Sequence, residues 1–304
     1  MDQRRMGGVQ VRRRLGGLKF AAQRGKTTLQ LKARNRFSHD QIGSSESDAP
    51  LISLTTYGTR VLTVHLAIES IVRGSVPPWR IILWVERRDL DIGIPKSLQR
   101  LKDRGLEIRP VDGLGPHSKY FHALRIADFT GRALVTADDD VIYPETWLHG
   151  LLAAHEADPD AVVCYRARRM TLDTNGTETE IGRYETWPLV QDARRSPRNF
   201  VTGVSGAVYP KQFIKALISR GTDFAEQAPR ADDVWLSQTA LHNGIDIRVV
   251  DGRSVDFTSI RGAQSVGLKH SNVANAANDQ QVRATYTDDD IRALRERPEV
   301  VPRR

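Results

Sequence analysis

Long apolar runs are missing from this 304-residue chain: its most hydrophobic stretches, such as IILWV at 81–85, are only a few residues long. A membrane-spanning helix needs roughly 18–20 such residues. No apolar core follows the basic N-terminal residues, so no secretory signal peptide is expected. The single cysteine, Cys164, excludes an internal disulfide and fits a reducing compartment. HExxH, CxxC, P-loop and GxSxG patterns do not occur, which removes the simplest zinc-hydrolase, redox, P-loop and serine-hydrolase assignments. No internal repeat is present.

An excess of one charge is also missing from most of the chain. The net charge is +8, but residues 1–36 hold eleven Lys/Arg against one acid, so that segment carries +10 and the other 268 residues carry −2. A domain-wide nucleic-acid footprint is therefore absent, and no specific nucleic-acid partner is expected. Residues 1–49 read as a separate basic arm, Gly-punctuated, disordered or peripheral, closed by the linker-like QIGSSESDAP (41–50). Such an arm suits contact with an anionic membrane surface, where each nearby Lys/Arg contributes roughly 1 kcal/mol.

From residue 50 strands alternate with helices. LISLTTYG (51–58), WRIILWVE (79–86), LEIRPVD (106–112), RALVTADDD (132–140) and AVVCYRA (161–167) read as strands. TRVLTVHLAIESIVRG (59–74), PKSLQRLKDRG (95–105), SKYFHALRIADF (118–129) and PETWLHGLLAAHEA (144–157) read as helices between them. This order predicts a doubly wound parallel sheet with right-handed crossovers. Further on, LDTNGTETEIGRYETW (172–187) predicts a hairpin excursion turning at Asn175-Gly176. GAVYP (206–210) and IDIRVVDG (245–252) predict strands, and KQFIKALISRG (211–221) and ADDVWLSQTALHNG (231–244) predict helices. Residues 261–304 are polar and read as a loop-rich segment, leaving 50–260 as the main domain.

The stretch LVTADDDVIYP (134–144) needs a reason for three adjacent acids after an apolar strand. Two like charges ~4 Å apart cost about 4 kcal/mol at an effective dielectric near 20. On a strand, Asp138 and Asp140 would project to one face and Asp139 to the other. A pair on one face can share a divalent cation, and Mg²⁺ or Mn²⁺ suits an oxygen-only site. The plainer reading makes one Asp the cap of the helix at Pro144, which leaves two charges unexplained. The strand's carboxyl end is also where open α/β sheets bind ligands.

This acidic strand end resembles the DxD motif of GT-A glycosyltransferases. SLTTYGTR (53–60), GPHSKYFHAL (115–124), GVSGAVYP (203–210) and PRADDVWLS (229–237) resemble further motifs of a bacterial capsule or surface-polysaccharide, family-2-like branch, in the same order. The resemblance covers roughly 50–275. It implies a Rossmann-like, doubly wound mixed sheet with a C-terminal acceptor-side excursion. It further implies a metal-dependent enzyme that moves a sugar from a UDP- or GDP-sugar donor to a hydroxyl of a glycan or lipid-linked acceptor, with inversion. The setting would be the cytoplasm, or the inner face of the membrane.

By the same resemblance Thr55, Tyr57 and Arg60 contact the donor. Tyr57 is equally a packed turn aromatic. Arg60 either pairs with phosphate or solvates a helix turn, although a cation at a helix start opposes the macrodipole. Lys119 would neutralise the diphosphate, and His117 reads as a loop residue. Asp138 would lie near ribose or metal, Asp139 would support it, and Asp140 would ligate the metal, with His270 as a third ligand. Asp233 would be the general base and Asp232 its understudy, though acids also favour helix starts for capping alone. Trp187 and Trp235 would form a sugar-stacking wall on the acceptor side, or else pack the core. Two other classes compete. A sugar-1-phosphate nucleotidyltransferase shares the sheet plan but needs a Gly-rich first loop, where YGTR has one Gly. A non-catalytic, basic-armed binding module is the third.

Overall fold

LISLTT forms the central strand β1 (Leu51–Thr56), and its first four side chains are fully buried. A strand can be apolar on both faces only where helices cover both. The computed structural model describes residues 21–175, 178–262 and 277–299. In chain order they form α1 (21–37), β1, α2 (Val64–Val72), β2 (Arg80–Glu86), α3 (Arg87–Asp91), α4 (Lys96–Asp103), β3 (Glu107–Val111) and α5 (Ser118–Thr130). Next come β4 (Leu134–Thr136), β5 (Val141–Ile142), α6 (Trp147–Ala157), β6 (Val162–Cys164), β7 (Ala167–Arg169), β8 (Leu172–Asn175) and β9 (Glu178–Ile181). The chain continues with β10 (Asn199–Val201), β11 (Ala207–Tyr209), α7 (Lys211–Arg220), α8 (Phe224–Gln227) and α9 (Asp232–His242). It closes with β12 (Ile247–Val249), β13 (Thr258–Ser259), α10 (Ala277–Thr285) and α11 (Asp288–Glu296).

Among the described residues seven strands share one sheet, in the order β12-β6-β11-β4-β1-β2-β3. Neighbours are parallel except at β11, which runs antiparallel to β4 and β6. The sheet is thus doubly wound and mixed. Simple strand–helix alternation misses the reversal, because the chain already stands at the carboxyl edge of the sheet when β11 begins. The winding changes direction between β1 and β4, and the crevice beyond their carboxyl ends is the topological switch point.

Period-2 alternation sorts the two cores. Leu51, Ile82, Trp84, Leu134, Val162 and Tyr209 face the side covered by α5, α7 and α9. Ile52, Leu54, Ile81, Leu83, Val135 and Val208 face α2, α4 and α6.

Strand β4 stops at Thr136, four residues short of the predicted end. The Asp138 amide donates to Tyr143 Oη at 2.7 Å, and Asp139-Asp140 form a turn into β5, which pairs with β13. The three acids therefore do not alternate across a pleat: Asp138 meets Lys119, and Asp139 and Asp140 share Arg60.

Both ends differ from the expectation. From residue 21 the basic segment is helical and packed, with Leu31 and Asn35 buried. Asn35 Nδ2 donates to Glu69 Oε1 at 3.1 Å, and Glu69, fully buried in α2, also receives Arg104 Nη1 at 2.6 Å and lies 3.3 Å from Arg34 Nε. A buried carboxylate must be compensated, so Arg34 and Asn35 belong to the domain. Residues 1–20 lie outside the described residues. At the other end, α10 and α11 replace the expected loops, and Val282 and Leu294 are buried against the rest of the core. Thr287 and Asp290 form a reciprocal capping box at the start of α11. No helix among the described residues is long and apolar enough to cross a membrane.

Candidate functional site

A cleft of about 480 Å³ opens at the switch point. The turn after β1 and the turn after β4 form one wall, the start of α5 and the start of α9 another, and the segment after β10 a third. Thr55, Tyr57, Arg60, Lys119, Asp138, Asp139, Asp140, Asp232 and Asp233 all line it, although they span 179 positions of the sequence.

Asp139 points inward and is buried. Its Oδ2 accepts from Thr56 Oγ1 at 2.7 Å and its Oδ1 from Arg60 Nη1 at 2.7 Å. Arg60 Nη2 reaches Asp140 Oδ2 at 3.2 Å, and its guanidinium lies 5.7 Å from the Tyr57 ring centroid. The cationic side chain that the sequence left open between phosphate and solvent thus pairs with acids. Thr55 Oγ1 donates to Trp84 O at 3.2 Å. Burial and the charge of Asp138 push the Asp140 carboxyl up to about 6, against the pull of Arg60. Asp138 keeps a buried oxygen, Oδ2, with no hydrogen-bond partner among the described residues.

Lys119 is a buried hub rather than an exposed helix-start lysine. Its Nζ lies 3.3 Å from Asp138 Oδ1 and 3.0 Å from Asp232 Oδ2. Burial works against its charge, but Asp232 and Asp138 outweigh that and hold the ammonium well above its ordinary value. Asp233 Oδ1 accepts from the Gly203 amide at 2.8 Å. Burial first, and then the charge of Asp232, push the Asp233 carboxyl up to about 7. Gly203 lets these groups close up, because a Cβ there would push Lys119 Nζ aside and lie 3.0 Å from Asp233 Oδ1. Two residues on, Ser205 adopts φ 76°, a left-handed conformation held by the Trp147 Nε1 bond to its carbonyl at 2.8 Å.

Other predicted residues fall elsewhere. Trp187 and Trp235 are 1% and 0% exposed and pack in the core, so neither presents a face to the cleft. Trp187 Nε1 is tied to Gly182 O at 2.8 Å, and Arg220 stacks 3.4 Å from the Trp235 ring centroid. Their indoles are too large and apolar to leave outside in this region, and the half-buried Tyr184 lines the cleft instead. His117 is fully buried, bridging Tyr120 Oη and Ala228 O at 2.8 Å each, so it is a packing residue. His270 lies outside the described residues. Sequence reasoning passed over Arg166, Arg168, Arg230 and Asp256, which also line the cleft. The alternation of Arg166 and Arg168 with apolar Ala167 at a strand edge was the available signal.

No protein-family model matches the chain, and no curated protein matches it. Solved structures that it resembles include S. aureus TarS 1-349 in complex with UDP-GlcNAc, at 12% identity and TM-score 0.47, covering 81% of this chain and 70% of that one. Another is the 4-diphosphocytidyl-2C-methyl-D-erythritol synthase of Anaerococcus prevotii, at 16% identity and TM-score 0.46, covering 77% of this chain and 100% of that one. A CMP:2-keto-3-deoxy-manno-octonic acid synthetase complexed with CTP matches at 11% identity and TM-score 0.43, covering 76% and 99%.

Proposed function

We propose that this cleft transfers a sugar from a nucleoside-diphosphate sugar to a hydroxyl of a glycan or lipid-linked acceptor, with inversion and with a divalent cation. The observation that carries the reading is the convergence of Asp138 and Asp140 with Asp233, a carboxyl tuned to about 7, at the switch point of a doubly wound sheet.

The residues fit a cation of the Mn²⁺ or Mg²⁺ type. Asp138 Oδ2 is a buried oxygen without a partner among the described residues, and Asp140 is raised first by burial and then by the charge of Asp138, which added positive charge would offset. No group of three His, Cys, Asp or Glu forms a metal cage among the described residues. Asp138 and Asp140 would therefore hold the ion together with phosphate oxygens and water, as hard cations allow. When bound, such an ion supplies Lewis-acid stabilisation to a departing diphosphate.

The chain's own residues do the rest. Asp139, locked by Thr56 and Arg60, holds the acidic turn in place. Lys119 brings a positive charge to the same corner and links the acidic turn to α9. The Gly203 amide fixes Asp233 Oδ1, which leaves Oδ2 to take the proton of the attacking acceptor hydroxyl. The acceptor oxygen, its proton passing to Asp233 Oδ2, then bonds to the anomeric carbon as the bond to diphosphate breaks, and a base near neutral pKa suits the step. The nucleotidyltransferase reading lacks this support: the single glycine of the first loop, Gly58, already commits its amide to Asp89 Oδ2 at 2.6 Å. The +10 of residues 1–36 supports an anionic membrane surface, on the cytoplasmic side, as a further partner. A screen of nucleotide sugars for diphosphate release tests the proposal. Release only from triphosphates, or from no donor with any cation and acceptor, counts against it.

A further inference from the structure

We infer that the acceptor is an anionic glycan, one carrying a carboxylate or a phosphate, read by Arg168 and Arg230 with Arg166 behind them. The inference rests on the transferase reading above and deepens it.

The cations of the cleft fall into two sets. Arg60 and Lys119 are engaged by Asp139, Asp140, Asp138 and Asp232. The opposite wall carries Arg166, Arg168 and Arg230. Arg166 is nine-tenths buried; its Nη1 donates to Thr202 Oγ1 at 3.0 Å and its Nε lies 2.8 Å from the carboxylate of the exposed Asp256. Arg168 has no carboxylate within ion-pair distance among the described residues. Its Nη1 donates to the Trp187 carbonyl at 2.5 Å, its guanidinium lies 5.3 Å from the Tyr184 ring centroid, and its buried Nε has no hydrogen-bond partner. Arg230 is exposed at the rim.

This wall abuts the proposed base through one continuous stretch of chain. Phe200 pairs with Arg168 across β10 and β7, Thr202 holds Arg166, and the next residue, Gly203, holds Asp233. An acceptor whose hydroxyl meets Asp233 therefore extends along these arginines and the face of Tyr184. A neutral sugar needs hydroxyl partners, which amides and carboxylates supply at lower desolvation cost. A guanidinium that lines the cleft with no carboxylate in ion-pair distance among the described residues instead matches the paired oxygens of a carboxylate or phosphate. In the transferase reading the diphosphate of the donor lies beside Asp138, Asp140 and Lys119.

The test uses one tetrasaccharide skeleton in three forms: maltotetraose, its 6-phosphorylated form and its 6-oxidised uronate form. Binding to the full chain is measured calorimetrically with and without UDP and Mn²⁺. The account expects one anionic form to bind at least 10-fold tighter than the neutral one, and the preferred form identifies the anion. Arg168→Gln and Arg230→Gln should each weaken that form 10-fold or more and leave maltotetraose unchanged. Arg230 is exposed, so its variant carries the test if Arg168→Gln lowers the melting temperature. Equal binding of the three forms overturns the inference. So does an Arg168→Gln variant that loses UDP affinity instead, which would assign this wall to the donor. If the wild type fails to bind UDP with Mn²⁺, the transferase reading falls, and the sugar panel without nucleotide still reports on the arginines.

Discussion

Arg60 Nη1 lies 2.7 Å from Asp139 Oδ1, and the two residues follow neighbouring strands on either side of the switch point. This pair closes the floor of the cleft. Both side chains are largely buried, so removing one strands the other's charge. Arg60→Ala should destabilise the fold by roughly 3–5 kcal/mol. Thr56→Val, which removes only a hydrogen bond to the same carboxylate, should cost about 1–3 kcal/mol. Denaturant titration of both, with an Arg60→Ala, Asp139→Asn double-mutant cycle, measures the coupling. Additive losses would show that the pair does not hold the acidic turn.

Truncation through residue 37 should lower the melting temperature, because it removes Arg34 and Asn35 from the buried Glu69. Arg104 keeps its ion pair with Glu69 in the truncated chain, so the loss should be partial, and adding Glu69→Gln, which strands the buried Arg104, should destabilise it further. A truncated protein that melts with the full chain would return this helix to the status of a detachable arm.

Trp187→Ala and Trp235→Ala should each cost roughly 3–5 kcal/mol, as large-to-small changes in a filled core do. Neither should raise an acceptor KM selectively. Tyr184→Ala, which also loses ring contacts with Trp187 and Phe200, should cost less stability than either and raise that KM. A specific acceptor defect in a stable Trp187→Ala enzyme would put the indole back at the cleft.

The Asp233 carboxyl titrates near 7, so transfer should rise with pH through that value as the base loses its proton. Asp233→Asn should retain donor binding, lose roughly 10²–10⁴-fold in rate and flatten the rising limb. Stability carries the opposite sign. The folded value lies above the unfolded value of about 3.9, so this residue's contribution is full below about 4 and is lost as pH rises through 7. Full turnover in the Asn variant would hand the proton to another group.

Much of this was legible in sequence where local chemistry decides structure. The buried runs at 51–56 and 80–86 and the Asp232-Asp233 helix start lie where periodicity and charge put them. What stayed hidden depends on distant partners. Nothing in AAQRGKTTLQLKARNRF announces that Arg34 and Asn35 compensate a carboxylate more than thirty residues away. The indoles of Trp187 and Trp235 carry the same local pattern whether they face a sugar or a core. The C-terminal helices were readable in part, since Thr287-Asp-Asp-Asp290 is a capping-box spacing, but their apolar stripe of Val282, Tyr286 and Leu294 is too thin to stand out among polar neighbours. The shortened β4 shows the limit of pleat arithmetic: three charges in a row leave the sheet, Asp138 for Lys119 and the other two for Arg60.

The most direct measurement of the central claim is the melting temperature of wild type and Asp140→Ala across a Mn²⁺ titration with UDP or GDP present. The account predicts a rise in the wild type that needs both metal and nucleotide, and its loss in Asp140→Ala with the metal-free melting temperature kept. An equal rise in the two proteins, or none in the wild type with either nucleotide, would contradict it.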